Sequence, residues 1–163
     1  IMNGKLSNKN QVQRLVSIAT KASEGPSVLG ELMSAIADDD PIIRYWAVTG
    51  IGNIGEIAGG DALKSSIEAM KDQSPSVRIA AARAVARLGD ADAALEVLKK
   101  ELRSEYQWGR LAAAIVIDEM EESGRKMVKD LKEVLSTRQP NKYILRVANR
   151  ALNDLLGTDN KVP

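Results

Sequence analysis

The sequence predicts an all-α protein: a right-handed α-α superhelix of about four stacked helix pairs with a leading helix. Three observations carry this expectation. A pattern of Pro, Arg, Ala and Gly returns at nearly constant spacing along the chain. Between the breaks, apolar residues recur at the three-and-four spacing of a helix face. Apolar residues make up 44% of the chain, yet aromatics are only 3% and Phe is absent. A core of that composition is built from Ala, Leu, Ile and Val in closely packed helices.

The leading helix is expected over residues 7–23, with Ser7 as N-cap and Val12, Leu15, Val16, Ala19 and Ala22 on its buried stripe. Gly25-Pro26 ends it. A second helix runs from Val28 to Ala37, with Leu29, Leu32, Met33 and Ile36 inward, and stops at Asp38-Asp39-Asp40. Pro41 opens the third helix at its first position, where a missing N–H costs nothing, and Gly55 closes it.

That stretch is the template. Pro75 follows Pro41 by one repeat, and in the same register Arg44 matches Arg78, Ala47 matches Ala81, Ile51 matches Val85 and Gly55 matches Gly89. A third copy follows at a slightly shorter spacing, pairing Arg78 with Arg110 and Val85 with Ile117. A fourth follows at a slightly longer one, pairing Arg110 with Arg146 and Ala112 with Ala148, and Gly157 closes it. Each motif helix has an amphipathic helix before it: Ala62 to Lys71, Ala91 to Arg103, and Ser123 to Ser136. The expected repeats are 28–55, 61–89, 91–121 and 123–157, in one domain spanning 1–163. A lone helix pair cannot bury both its faces, so successive pairs must stack. A globular four-helix bundle would show no fixed period.

Composition narrows the chemistry. The chain has 23 Lys and Arg against 22 Asp and Glu, far from the basic excess of a free-standing nucleic-acid binder. With no Cys there are no disulfides or thiolate sites, and with no His the commonest acid-base residue and metal ligand is missing. No apolar run approaches the roughly 20 residues that cross a bilayer. The start on Ile1 rather than Met suggests a fragment of a larger protein.

A two-helix unit of about 34 residues carrying Asp-x-x-Pro-x-x-Arg-x-x-Ala resembles a HEAT repeat. Residues 72–82, from Asp72 through Pro75 and Arg78 to Ala82, match the HEAT-like type common in bacteria. The resemblance covers about residues 28–157 and implies a HEAT-like solenoid. A narrower one concerns Arg44 to Ala47, Ser74 to Ala82, Ala94 to Leu98, Leu111 to Ala114 and Tyr143 to Val147. These strings resemble the C-terminal helical-repeat region behind the catalytic domain of some bacterial sulfatases. That family's formylglycine motif and calcium site are absent from this sequence, so the resemblance supplies no catalytic or metal residue.

Candidate sites divide into repeat grammar and surface. The column of Arg44, Arg78, Arg110 and Arg146 reads as structural, each Arg bonding Asp40, Asp72 or carbonyls near the inter-helix turn. A stacking requirement recurs in every unit, whereas a ligand site is usually unique. Trp46 is expected to fill a gap beside the leading helix, and Tyr45 to reach the edge of the second-helix surface. The residues assigned to an interaction surface are Arg44, Tyr45, Arg83, Arg87, Tyr143 and Arg150. That face is mildly basic but interrupted by Asp118, Glu119 and Glu121, which disfavours tracking along DNA. The run Asp38 to Asp40 lacks the alternate oxygens and closing Glu of a calcium loop and reads as helix-start electrostatics. Gly50-Ile51-Gly52-Asn53-Ile54-Gly55 follows no strand, so its glycines read as close helix packing rather than phosphate binding.

The expected function is a non-catalytic repeat domain for packing, assembly or substrate positioning, with no catalytic residue, metal or cofactor. It would serve as the C-terminal module of a larger bacterial sulfatase-like hydrolase. The partner would be another protein or the catalytic domain of the same chain, with a sulfated glycan also open, nucleic acid disfavoured and no membrane. The alternative is a stand-alone HEAT-like scaffold binding another protein. A sulfatase-like parent implies a periplasmic or secreted location; otherwise the location is cytoplasmic.

Overall fold

A computed structural model describes residues 2–136 and 141–161, with side chains from residue 9 onward. Among these residues the chain is all-α, with nine α-helices, three 3-10 turns and no strand. The helices pack in successive pairs, the all-α helical-repeat class expected from the sequence. Packing divides the chain into two compact units, Ile1–Gly89 and Asp90–Pro163.

The first unit holds α1 (Met2–Lys21), α2 (Leu29–Ala35), α3 (Pro41–Ile54), α4 (Gly59–Ala69) and α5 (Pro75–Arg87). Its centre is α3, which packs on α5, α2 and α1. Small residues permit that approach. A Cβ on Gly50 would lie 2.8 Å from the Cα of Ala22 and from a Leu32 methyl, and one on Gly52 would lie 2.9 Å from the Cα of Ala84. The two glycines let α3 touch the end of α1 on one side and α5 on another. Leu32, Ala47, Val48, Ile51, Val77, Ala81 and Val85 are fully buried around these contacts. The Asn53 side chain adds an N–H donated to the Ala22 carbonyl at 3.0 Å.

The leading helix differs from expectation. It begins earlier, so Ser7 falls inside α1, and the Ser7 side chain lies outside the described residues. Val12 and Val16 are 59% and 56% exposed, while Ile18 and Ala22 are buried. A helix packed mainly against one neighbour buries only a narrow stripe, and the stripe here runs through Ile18. The α2 helix is also shorter than expected, because Pro26–Val28 forms a 3-10 turn ahead of it.

The second unit holds α6 (Ala91–Leu102), α7 (Gln107–Glu119), α8 (Val128–Leu135) and α9 (Lys142–Leu156). Here α7 packs on α9 and α6, and α8 packs on α9. The expected helix from Ser123 opens instead as the 3-10 turn Glu121–Met127, with Gly124 pressed on the Ile117 carbonyl, 2.7 Å from where a Cβ would sit.

Burial corrects the register of the last copy. Gly109, Ala113, Val116 and Ile117 are buried in α7, and Ile144, Ala148, Ala151 and Leu152 in α9. Taken in order, the members of the two sets are separated by one constant interval, and the N-caps Tyr106 and Asn141 are separated by the same interval. That interval is one position shorter than the one from Arg110 to Arg146. Arg110 is therefore matched by Leu145, and Arg146 is an exposed residue one step further round the helix. Packing positions fix the register; a shared charge does not.

Candidate interaction surface

The helix starts of the first unit share one construction. The Asp40 side chain accepts from the Ile42 amide at 2.8 Å, and the Asp38 side chain accepts from the Asp40 amide at 2.9 Å. One repeat later, Asp72 Oδ1 accepts from the Ser74 amide at 2.7 Å. Asp40 caps a bare N–H group at the start of α3, while Asp38 and Asp72 fold the turns just ahead of α3 and α5, near the positive helix ends. Gln11 donates to Asp40 at 2.8 Å. That bond, followed by the one from the Ile42 amide, holds the Asp40 carboxyl below its usual range.

The arginines fasten these turns. Arg44 donates through Nε and Nη2 to the two oxygens of Asp72, at 2.7 and 2.9 Å, in a bidentate pair. Its Nη1 donates to the carbonyls of Asp38 and Asp39, at 2.8 and 3.0 Å. One guanidinium thus binds its own turn to the acidic residue of the next. The Arg44 bond lowers the Asp72 pKa, and the Asp72 bond raises that of Arg44. Arg78 repeats the inner half, donating to the carbonyls of Asp72 and Gln73 at 2.8 and 3.0 Å. Arg14 of α1 also pairs with Asp38, through a single bond. The leading helix is thereby fastened to the turn ahead of α3.

The six expected surface residues part company. Arg44 is spent on the clamp. Tyr45 is half-buried and meets Trp46 edge to face, with ring centroids 5.3 Å apart at 80°. Trp46 is itself half-buried, and Gly50 and Asn53 make the close contact beside α1. Arg83 and Arg87 lie one turn apart on α5, half-buried and exposed respectively. On α9, Tyr143, Arg146 and Arg150 follow one another at helical spacing, all exposed. The Lys142 ammonium lies 5.3 Å from the Tyr143 ring centroid. Arg150 also reaches Asp118 of α7.

Several features escaped the sequence reading. Trp108 is 62% and Tyr106 46% exposed; rings in a chain otherwise poor in them were the available signal. A second is a cleft of about 310 Å³ in the second unit, lined by Asp118, Glu119, Glu121, Glu122, Arg125, Arg150, Asp154 and Leu155. The end of α7 supplies its acidic wall, and Glu121 takes φ 47 to turn the chain there. The Asp118 side chain is only 4% exposed. Its Oδ1 is buried with no hydrogen-bond partner among the described residues.

Paired helices and turns clamped by Asp and Arg define a helical-repeat protein of the α-solenoid class. The family model for HEAT repeats matches residues 29–118, more than half of the chain, and the chain belongs to that family. HEAT repeats generally mediate protein–protein interaction, so the family describes a helical-repeat scaffold. Among solved structures, the crystal structure of an engineered protein is similar at 21% identity and TM-score 0.59. The match covers 79% of this chain and 62% of that one, and at this identity it speaks for the fold alone. No curated protein matches the chain.

Proposed function

We propose that this chain is a non-catalytic scaffold that binds an acidic segment of a partner protein through the exposed face of α5. One observation carries the reading. The arginines of the repeat column, Arg44 and Arg78, bond the turns, whereas Arg87 stands exposed on α5. An exposed arginine that no turn requires can serve recognition of a carboxylate. The test compares wild type with the R83E/R87E double variant in capture of binding proteins from source-cell extract, helicity being checked by circular dichroism. Loss of a captured protein at unchanged helicity is expected; undiminished capture overturns the reading. Salt-dependent retention on a sulfated-glycan column, lost in the same variant, would instead make the partner a glycan.

The narrower reading makes this chain the C-terminal module of a bacterial sulfatase-like hydrolase, packing against its catalytic domain. Its support is the set of short strings between Arg44 and Val147. Reading the gene upstream of Ile1 tests it: an encoded sulfatase-type domain is expected, and any other neighbour ends it.

A further inference from the structure

We propose that the groove between α7 and α9 docks an amphipathic helix of a partner protein, apolar along the side that meets α7 and acidic along the side that meets α9. It uses none of the α5 residues and depends first on apolar contact, so it goes beyond the function proposed above.

The groove is framed by two bonds across the helix pair. Asn141, at the start of α9, donates to Gln107 of α7 at 3.3 Å, and further along Arg150 pairs with Asp118. Between these bonds α7 offers an apolar row. Trp108 and Ile115 are 62% and 40% exposed, and Leu111 and Ala112 between them are half-buried. Residues at that spacing share one helix face. The repeat does not call for such a row. The buried Val77, Ala81 and Val85 of α5 match Gly109, Ala113 and Ile117 of α7 at one constant interval. At that interval α5 carries Ser76 where α7 carries Trp108, and Arg83 where it carries Ile115. In the register shared with α9, Ile115 is matched by Arg150. Positions given to a hydroxyl or an arginine in other copies are therefore apolar in α7. An exposed tryptophan is also the side chain most enriched where interfaces concentrate their binding energy.

The charge beside this row selects the occupant. Lys142, Arg146 and Arg150 recur every four residues on α9, all exposed, and so form one cationic row. Arg150 is 72% exposed even while paired with Asp118, and Arg146 makes no ion pair among the described residues. Each row runs for about 10–12 Å, two turns of helix. A partner helix lying along the groove has the same period. It can set apolar side chains at i, i+3 and i+7 against α7 and carboxylates four residues apart against α9. Apolar contact then supplies the anchor, and the cationic row chooses an acidic partner and its register.

The test titrates the purified chain with a helical alanine-based peptide of about 18 residues. It carries leucines at i, i+3 and i+7 and glutamates four residues apart beside them. One control peptide scrambles this order and a second replaces the glutamates by lysines. Saturable chemical shifts confined to residues 107–119 and 142–150, the Trp108 indole N–H included, are expected, with a Kd of about 0.1 mM. Neither control should saturate. Trp108→Ala should weaken binding about tenfold, and Arg146→Glu about fivefold, the second loss shrinking as salt rises. Both residues are exposed, so neither change should disturb the fold. The R83E/R87E variant should bind the peptide like wild type. No saturation by about 1 mM, equal binding of either control, or W108A and R146E variants that bind like wild type would each overturn the proposal. Loss of binding in R83E/R87E would also overturn it, moving the peptide to α5 and leaving the function proposed above standing. Shifts of the same residues on dilution of the chain alone would overturn it too, assigning the groove to a second copy.

Discussion

The two units solve the same stacking problem with different fasteners. In the first, each turn is tied by a carboxylate and an arginine from an earlier helix: Asp38 with Arg14, and Asp72 with Arg44. In the second, Tyr106 and Asn141 stand where Asp40 and Ser74 stood, and Arg110 Nε is buried without a hydrogen-bond partner among the described residues. Its helices are held by pairs unique to it. Arg103 of α6 reaches Asp130 and Glu133 of α8 at 2.5 and 2.6 Å, and Arg150 of α9 reaches Asp118 of α7. The helix pair is kept as an object while its joints are interchangeable.

Arg44→Ala should be the largest single break in this comparison. It removes a bidentate pair whose side chains are only 18% and 11% exposed, along with two carbonyl bonds. It leaves Asp72 nearly buried without its cation, for an expected loss of about 3 kcal/mol. Urea denaturation measures the loss, and hydrogen exchange should place the lost protection within residues 38–78. A cost below about 0.5 kcal/mol would make the clamp ornamental.

Gly50→Ala should follow, because its Cβ meets the Ala22 backbone and the Leu32 side chain. Overpacking of about 1–3 kcal/mol is offset in part by about 1 kcal/mol of helix propensity, leaving a net loss near 1 kcal/mol on chemical denaturation. Arg103→Met tests the other unit. Asp130 is 7% exposed and would lose its closest cation, although Lys99 remains at 4.0 Å. A loss of about 1 kcal/mol is expected. Lys126→Ala should cost under about 0.5 kcal/mol, since Lys126 and Asp92 are 65% and 74% exposed.

Acid should separate the units as well. The folded pKa of Asp72 is lowered by Arg44, so the pair stabilises the protein above the unfolded carboxyl value of 3.8 and is lost as pH falls through the lowered folded value. Protection of the first unit should therefore decline below about pH 4. D72N should flatten that decline; an unchanged profile would show that other carboxylates govern it.

Much of this architecture was legible because the first unit spells its joints in the same letters. Pro41 and Pro75, Arg44 and Arg78 repeat at one spacing, and the structure gives them one job. The reading slipped where letters and packing diverge. Arg146 invited alignment with Arg110, yet the buried Ala113 and Ala148 place it one position out. Val12 and Val16 fit a helical stripe, but periodicity does not reveal how many neighbours a terminal helix has. The acidic cleft was invisible for a different reason: Asp118 acquires its character from Arg150, two helices further along the chain, and from the fold that leaves Oδ1 buried. The expected surface mixed two populations because an arginine's role depends on whether a turn lies within its reach.

The clamp between Arg44 and Asp72 also says how the protein could lengthen. Asp38 and Asp72 hold equivalent places in their turns, one repeat apart. A duplicate of residues 38–71 inserted ahead of Asp72 would meet the original Arg44 with a new copy of Asp38. It would also present its own Arg44 to Asp72. Neither existing joint would need to change, so the segment behaves as a cassette with matched ends. Growth by one cassette is a single tandem duplication of the coding sequence, with no loop to redesign.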